Sequence, residues 1–348
     1  MTAGATNFDI FINGEQVKDD HVQRFTIDRD MNQPDMCTIL LTNQNAVWTS
    51  KVKLAQSLKI DVGSDQTTIW EGEIVGVEPI FSGKEKTTVR IRGMNKLHKL
   101  IRGKKSKTYT KKSDKEILQE VFTGLDLDFD HPKAASIKYE HVYQHNQTDL
   151  EFARTRIGRT GAFFWCVASK VFVKWPDFQQ DSGIKLSVNP SKDGEGLLDF
   201  RPNMTSHAVV KKVTVKGWNP ETKELITGSA SVSGSKLGST TSSSGSGDHG
   251  NEETFNVDQP IWSKEEADLL AEGILKERAI TFITGTAKTT GSAKFDLGQV
   301  VSFDVDAKGV KDPFSGKYYI VGISHHYVAS GKDGFTTDLR YVRDARDV

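Results

Sequence analysis

The stretch QSLKIDV at residues 56–62 decides the fold, because the same pattern returns as QVVSFDV at residues 299–305. In both copies a glutamine precedes alternating apolar residues and an Asp-Val pair. Each copy is followed by a near-identical tetrad, IVGV at 74–77 and IVGI at 320–323. A repeat with copies this far apart predicts two related β domains, since a solenoid would repeat over a much shorter period.

Further matches continue in the same order after each tetrad. They are Ser-Gly-Lys at 82–84 and 330–332, and Thr-Thr at 87–88 and 336–337. The spacings between matches differ by only a few residues, as hairpin loops allow. We therefore interpret residues 54–93 and 297–343 as two copies of one design.

The residues around the first copy have the pattern of short strands. Residues 8–12 and 58–62 alternate between apolar and polar side chains, and residues 38–42 (Thr-Ile-Leu-Leu-Thr) are predicted to be a buried run. Short strands joined by Gly- and Asp-rich turns are typical of a small barrel. We expect residues 1–103 to form a first tube-like β-barrel.

Helix signals appear in the middle of the chain. Ser113 with Glu116, and Thr148 with Glu151, have the spacing of capping boxes, in which each side chain bonds a backbone amide of the first turn. The apolar residues that follow each box predict amphipathic helices. Residues 162–175 then favour a hairpin, so residues 104–203 are predicted to form an α/β insert domain.

Strand patterns resume near His207, and residues 207–230 are expected to pair with the closing repeat. Residues 229–252 are almost wholly Ser, Gly and Thr, which predicts a flexible loop. A third capping box at 263–266 predicts one more helix. The expected fold class is therefore mainly β with an α+β insert: two tube-like barrels, the second at 204–348, flank the α/β domain.

Composition excludes several classes of protein. Lys plus Arg and Asp plus Glu both number 46, so net charge gives no general attraction to nucleic acid or anionic membranes. No stretch approaches the roughly 20 apolar residues that span a bilayer, and the N-terminus lacks the pattern of a signal peptide. We expect folding in a cytosol. Cys37 and Cys166 are predicted to be buried free thiols.

Two constellations resemble catalytic or metal sites. Ser246 lies near Asp248 and His249, but a low-complexity segment does not provide the rigid positioning that a triad needs. Adjacent residues on a strand point to opposite faces, so His325 and His326 are poorly placed to bind one metal ion. Three other histidines (His131, His141, His145) also lack ligand spacing. We predict no enzyme activity, no metal and no cofactor.

Two other features have alternative interpretations. Five lysines and Arg102 lie within residues 102–112, a run that favours either phosphate binding or a solvated loop at a domain junction. Since only Tyr109 offers an aromatic platform there, nucleic-acid binding is the less favoured alternative. Residues 163–165 (Phe-Phe-Trp) are predicted to form a core strand and not a ligand platform.

One segment carries a resemblance to a known family. Gln144, Thr148, Asp149, Phe152 and Gly161, followed by aromatic strand residues, resemble a signature of the late control protein D family and the VgrG proteins. These are hub proteins of contractile phage tails, type VI secretion and related injection particles. The sequence departs from the signature in the middle of the helix, where Thr-Arg at 155–156 stands in place of an Arg-Leu type pair.

The resemblance implies a structural baseplate hub. In this family the hub is a homotrimer, so three chains with two barrels each present six similar barrels in a pseudo-sixfold ring. Such a ring matches a hexameric inner tube on one side and a trimeric spike on the other. The implied partners are a separate spike protein, the inner tube protein and baseplate wedge components. The implied location is a phage tail or injection particle assembled in the cytoplasm.

Four residues on the repeated strands are predicted to contribute to an interface: Glu73, Glu78, His325 and His326. Two alternatives from other classes remain open. One is a cell-surface or carbohydrate-binding module with two barrels and no ring. The other is a cell-wall hydrolase component with its active site in the insert.

Overall fold

The structure, a computed structural model, describes residues 8–81, 83, 87–178, 181–188, 195–207, 209–245, 251–256, 260–306, 310, 312–329 and 334–347. Strands form 53% of the described residues and helices 18%, and six strands close into a barrel. The predicted fold class is therefore confirmed.

The first barrel consists of seven antiparallel strands hydrogen-bonded in the order β2-β1-β5-β6-β7-β4-β3. The strands are β1 (Phe8–Ile12), β2 (Glu15–Val17), β3 (Val22–Asp30), β4 (Met36–Thr42), β5 (Ser57–Val62), β6 (Thr67–Ile80) and β7 (Thr88–Met94). Alternate side chains such as Ile10, Ile60 and Ile91 point into one core. Within the described residues no ladder joins β1 to β3. The seam between them is bridged by the rings of Phe8 and Phe25, whose centroids are 5.2 Å apart.

The insert has its own core between two small sheets and three helices. Its elements are β8 (Lys105–Ser113), α1 (Asp114–Val121), β9 (Asp126–Asp130), α2 (Pro132–Ser136), β10 (Lys138–Gln147), α3 (Asp149–Gly158), β11 (Phe163–Val167) and β12 (Lys170–Lys174). Strand β10 pairs with β8, and β11 and β12 form the predicted hairpin, with β9 added in parallel. Phe164 and Trp165 are buried, as predicted for a core strand.

The rest of the chain adds the second barrel and a separate small sheet. The elements are β13 (Asp181–Ser187), β14 (Glu195–Met204), β15 (Val210–Asn219), β16 (Glu224–Ser231), β17 (Thr240–Thr241), α4 (Ser242–Gly245), β18 (Asn251–Asn256), α5 (Lys264–Ile280), β19 (Ile283–Thr290), β20 (Val300–Asp304), β21 (Gly316–Val328), β22 (Phe335–Arg343) and β23 (Ala345–Arg346). Three further 3-10 helices lie at Asp19–His21, Gln44–Ala46 and Lys96–Ile101.

The second barrel is closed, with strand order β21-β20-β13-β14-β19-β22 and a final pairing of β22 with β21. Its centre is aromatic: the ring of Tyr318 lies 4.7 Å from that of Tyr341 and 5.3 Å from that of Phe303. Edge-to-face contacts of this kind stabilise a core beyond the area that they bury.

The expected pairing of residues 207–230 with the closing repeat is wrong. Strand β15 pairs with both β16 and β18, and α5 covers this three-stranded sheet. The barrel instead takes β13 and β14, which the sequence analysis assigned to the insert. Strand β14 contains Pro202, which removes a backbone donor, and such strands are hard to recognise as part of a barrel.

The Ser/Gly segment is more ordered at its start than predicted. Residues Ser246, Asp248 and His249 lie outside the described residues, but Leu237 is buried. The Leu237 carbonyl accepts hydrogen bonds from Nε and a terminal nitrogen of Arg343, at 3.0 and 2.7 Å. This part of the predicted flexible loop is therefore anchored to the last strand of the second barrel.

The predicted capping boxes are confirmed for two of the three helices. Ser113 with Glu116 and Thr148 with Glu151 each make both reciprocal bonds. At α5 the Ser263 hydroxyl accepts from the amide of Glu266 at 3.1 Å, but the Glu266 carboxylate accepts from the amide of Trp262. The third box is therefore a single cap, with the returning bond shifted by one residue.

The backbone confirms that the two copies share one design. Ladders β5–β6–β7 and β20–β21–β22 are equivalent antiparallel meanders. Oε1 of Gln56 accepts from the amide of Lys53 at 2.8 Å, and Oε1 of Gln299 accepts from the amide of Asp296 at 3.0 Å. The preceding residues, Ala55 and Gly298, both have left-handed φ values, 66° and 82°.

Irregularities in the strands also repeat. A β-bulge at Val75 in β6 corresponds to one at Val321 in β21. A second pair of bulges, at Gln23 in β3 and Leu198 in β14, makes these two strands equivalent as well. Bulges redirect a strand at a defined position. Their recurrence at matching positions means that β3 and β6 correspond to β14 and β21, although β3 and β14 share no recognisable sequence. The first strands of the barrels differ, since β1 pairs with β5 in antiparallel and β13 pairs with β20 in parallel.

Candidate assembly surfaces

The two barrels are joined edge to edge by β3 and β21. The second half of β21 pairs with β3, from Gly322 opposite Asp30 to Val328 opposite Arg24. The amide of Met31 donates to the carbonyl of Val321 at 3.1 Å, and at the other end a further bond of 2.9 Å continues the ladder. The first half of β21 pairs with β20, so this one strand belongs to both barrels. We call this ladder the interbarrel joint.

Aromatic side chains fill the joint on the side of the first barrel. The ring of Tyr327 lies 4.4 Å from that of Phe8 and is stacked on Phe25 with centroids 5.3 Å apart. Phe25 is consequently completely buried. The end of β21 therefore covers the open seam of the first barrel, a role that needs a large apolar side chain at this position.

His325 lies inside the joint, which corrects the expectation that it faces another chain. Its side chain is 1% exposed, its ring stacks on Phe335, and Nδ1 lies 3.0 Å from the hydroxyl of Thr337. Burial, with smaller contributions from the charges of Arg29 and His326, lowers the pKa of His325 to about 3. The imidazole is therefore neutral near pH 7 and contributes to the packing within one chain.

His326 points to the opposite face of β21, as strand alternation predicts. Its Nε2 lies 3.4 Å from a carboxylate oxygen of Asp338, and the side chain is partly exposed. Within the described residues, no group of three or more His, Cys, Asp or Glu side chains could hold a metal ion. His326 is therefore a surface residue beside the interbarrel joint.

A charged cluster connects both barrels beside the joint. A terminal nitrogen of Arg29 on β3 contacts Asp296 of the second barrel at 2.6 Å, and Nε lies 3.6 Å from Asp35. Burial raises the pKa of Asp35 to about 7, although the charge of Arg29 and a hydrogen bond from Asn95 oppose this. Among the described residues one oxygen of Asp35 has no hydrogen-bond partner, so the cluster is sensitive to pH.

The two predicted glutamates of β6 differ in their surroundings. Glu73 accepts a 2.5 Å bond from Lys99 and so ties β6 to the 3-10 helix that leads into the insert. Glu78 pairs with Arg90 at 2.8 Å but keeps nearly half of its side chain exposed. Glu78 lies on the second half of β6, which pairs with β7 on one side only. Of these two, Glu78 is the better placed for contact with another chain.

The signature residues build the insert. The Gln144 side chain is fully buried and donates to Asp149 at 3.1 Å and to the carbonyl of Gln147 at 3.2 Å. Thr148 caps α3, and Phe152 stacks on Tyr109 with centroids 5.6 Å apart. These contacts fix the strand-to-helix turn, so the signature specifies a local structure and not a reactive centre.

Gly161 allows the insert to touch α5. Its φ is +69°, and a Cβ atom there would lie 2.9 Å from both the Cα and the carbonyl oxygen of Gly273. No residue with a side chain fits at this contact without movement. The end of α3 is thereby held directly against the helix that covers the small sheet.

A buried ion pair that the sequence did not indicate joins α3 to the start of α1. Arg156 contacts one carboxylate oxygen of Asp114 through two nitrogens, at 2.6 and 2.7 Å. Tyr139 donates to the other oxygen at 2.7 Å, and the guanidinium lies over its ring. Arg156 is where the helix departs from the family signature. The only available signal was a charged residue on the apolar face of α3, which in a core requires a partner.

The basic run is partly neutralised within the chain. Lys105 bonds Asp149 at 2.5 Å, while Lys107 and Lys112 both bond Glu120. These three lysines lie on β8, and their ion pairs reduce the positive charge that the run offers to phosphate groups. Cys37 and Cys166 are buried free thiols, as predicted, and burial raises the pKa of each.

In the described part of the chain, no helix is both long enough and apolar enough to cross a membrane.

Comparison with known proteins identifies one matching family and several solved structures of similar fold. The family model described as the Alg8 N-terminal domain matches residues 2–329. No curated protein matches the chain. A tail protein from Neisseria meningitidis MC58 has a TM-score of 0.71 at 12% identity, covering 98% of this chain and 97% of that one.

Two further solved structures have a fold similar to that of this chain. The 43 kDa tail protein of prophage MuSo2 from Shewanella oneidensis has a TM-score of 0.69 at 13% identity, covering 98% of this chain and 100% of its own. A type VI secretion component from E. coli, described as similar to T4 bacteriophage tail proteins, has a TM-score of 0.61 at 13% identity, covering 96% and 76%. At such identities the likeness shows a shared fold, that of phage tail and type VI secretion proteins.

Proposed function

This chain belongs to the Alg8 N-terminal domain family, and we propose that it is a structural hub of a contractile tail or injection particle. The observation that carries the proposal is the interbarrel joint. Two barrels that share a duplicated meander are held side by side by a continuous ladder, so their relative orientation is fixed by backbone hydrogen bonds. A rigid pair of this kind is a suitable building unit for a ring.

Three such chains make a ring of six similar barrels. A head-to-tail contact closes into a ring when the rotation per unit divides a full turn. The hub then offers six near-equivalent barrels to a hexameric inner tube and three inserts to a trimeric spike. Its role is mechanical: it joins tube to spike and transmits contraction. The fold of tail and type VI secretion proteins supports this role.

The proposal includes the finer assignments made from the sequence. The chain is a homotrimer of the late control protein D or VgrG type and has no enzyme activity. Its partners are a separate spike protein, an inner tube protein and baseplate wedge components, with assembly in the cytoplasm. The strands of the first barrel lie within residues 8–94, and those of the second barrel lie within residues 181–204 and 283–343.

The mass of the chain in solution tests the proposal. Light scattering over a concentration series is expected to give three times the mass of one chain, 38.6 kDa, or a monomer that becomes trimeric as concentration rises. A chain that stays monomeric at every concentration would overturn the trimeric hub and favour the two-barrel binding module instead.

A further inference from the structure

Two strand segments have an edge without a hydrogen-bonded partner in the described part of the chain. One is residues 76–81, at the end of β6, which pairs with β7 on one side only. The other is residues 199–204 of β14, which pairs with β19 on one side and reaches β13 only at its first two residues. Unpaired edges of this length offer a template for another strand.

These two edges are the duplicates of the two strands that form the interbarrel joint. Strand β6 corresponds to β21 through the bulges at Val75 and Val321, and β14 corresponds to β3 through the bulges at Leu198 and Gln23. In the joint, the β21 and β3 segments pair with each other within one chain. Their duplicates lie in different barrels, and each lacks the equivalent partner.

We propose that β6 of one chain pairs with β14 of a second copy, and that this ladder is the contact between protomers. The occupant of each edge is therefore another copy of this chain. The inference rests on the proposed trimeric hub and specifies its interface. The in-chain joint and the contact between chains then alternate around a ring of six barrels.

The equivalence of the strands also predicts the register of the proposed ladder between β6 and β14. Transferring the β21–β3 register to the equivalent strands places Gly76 opposite Thr205, Val77 opposite Met204, Glu78 opposite Asn203, Pro79 opposite Pro202, Ile80 opposite Arg201, and Phe81 opposite Phe200 of the other chain. The two prolines, which cannot donate, meet at one pair. The equivalent pair in the joint is a hydrogen-bonded one, so the ladder lacks both bonds there and keeps those of the Val77–Met204 and Phe81–Phe200 pairs.

The exposure of aromatic side chains supports this register. Phe25 is completely buried because Tyr327 covers it, whereas its duplicate Phe200 remains partly exposed. Phe81, the duplicate of Tyr327, is 77% exposed. Burying Phe81 over Phe200 of another chain would reproduce in the ring the stacking already present in the joint. Exposed aromatic residues on a strand edge are typical of interfaces.

The polar pair next to these residues is also complementary. In the joint, the hydroxyl of Ser324 donates to Asp28 at 2.7 Å. The duplicates are Glu78 and Asn203, which can form the same kind of bond with the carboxylate and the donor exchanged between strands. Opposite residues that can hydrogen-bond favour one register of an antiparallel pair.

Cysteine cross-linking tests the register. Ile80 and Arg201 are the duplicates of His326 and Thr26, which face each other across the joint. The bonds at both ends of the joint ladder place this pair at a non-hydrogen-bonded position, where the Cα atoms of about 4.5 Å separation suit a disulfide. Oxidised Ile80→Cys/Arg201→Cys is expected to give covalent dimers and trimers on a non-reducing denaturing gel.

Three controls accompany this variant. Thr26→Cys/His326→Cys is expected to close within one chain and keep the monomer mass. Ile80→Cys/Asn203→Cys is two residues out of register and is expected to give at least tenfold less cross-linking. Phe81→Ser is expected to weaken self-association at least tenfold in light scattering, whereas Leu225→Ser, at another exposed apolar site on β16, leaves it unchanged.

The outcomes separate the interface from the hub. A trimer in solution that forms no cross-link through residues 80 and 201, while the in-chain control closes, overturns this interface and leaves the proposed hub standing. Equal cross-linking of the out-of-register pair also overturns it. A chain that is monomeric at all concentrations and gives no intermolecular cross-link overturns both.

Discussion

His325 and Thr337 lie on neighbouring strands of the second barrel, and Nδ1 of the imidazole is 3.0 Å from the threonine hydroxyl. The ring is buried in the joint between the barrels and has a pKa of about 3. An unfolded histidine has a pKa near 6.5. Folding therefore requires a neutral imidazole at this position, and this requirement links the joint to pH.

Replacing His325 by glutamine should change how stability depends on pH. Between pH 6.5 and 3 the unfolded chain binds a proton at His325 that the folded chain does not, so stability falls as pH falls, by up to about 1.4 kcal/mol per pH unit. His325→Gln removes this contribution while its amide can still bond Thr337. Urea unfolding at pH 4, 5, 6 and 7 measures it. An unchanged pH profile would contradict the buried neutral histidine.

Asp35→Asn should have the opposite effect. The folded chain keeps a proton on Asp35 up to about pH 7, whereas an unfolded aspartate ionises near 3.8. Stability therefore falls as pH rises between these values, by up to about 1.4 kcal/mol per unit, and the variant loses that slope. The same urea series tests it, with the exposed Asp126→Asn as control. Equal slopes in Asp35→Asn and the unsubstituted protein would argue against the prediction.

In the unsubstituted chain these two contributions oppose each other between pH 3.8 and 6.5. The sequence reveals neither, because a histidine next to another histidine looks the same whichever one faces the core. Strand alternation predicts that His325 and His326 differ, but only the pairing of β21 with β3 determines which is buried.

The duplicated meander and the helix caps could be predicted because both are local signals. A repeated tetrad or a Ser-x-x-Glu spacing is complete within a few residues. The entry of β13 and β14 into the barrel could not be predicted, since their partners are far away in sequence. The equivalence of β14 with β3 is visible only in the shared bulges at Leu198 and Gln23.

Asp114→Ala should be strongly destabilising because it leaves Arg156 buried without its partner. Removing one member of a buried ion pair typically costs about 3–5 kcal/mol, since the remaining charge stays desolvated. Tyr139 also loses its acceptor. Urea unfolding at pH 7 measures the change. The surface pair Lys133–Glu272 provides the control, and Glu272→Ala should cost less than about 1 kcal/mol.

A double variant distinguishes charge burial from lost packing. Asp114→Leu/Arg156→Met removes both charges, so it should be more stable than Asp114→Ala, as apolar replacements of buried ion pairs often are. If the double variant is as unstable as the single one, the loss of stability comes from altered packing in the insert and not from an unpaired buried charge.

Gly161→Ala should destabilise the protein for two separable reasons. At φ +69° an alanine is in the left-handed region, which costs about 1–2 kcal/mol, and its Cβ would also lie 2.9 Å from the backbone of Gly273. Overpacking of this kind typically adds about 1–3 kcal/mol. Gly124 is a matched control, since its φ is +83° and nothing lies within 4 Å of an added Cβ. Gly124→Ala therefore reports the backbone cost alone. Urea unfolding of both variants should show a clearly larger loss for Gly161→Ala, and equal losses would mean that α3 and α5 separate easily and that the insert is not held rigidly against the small sheet.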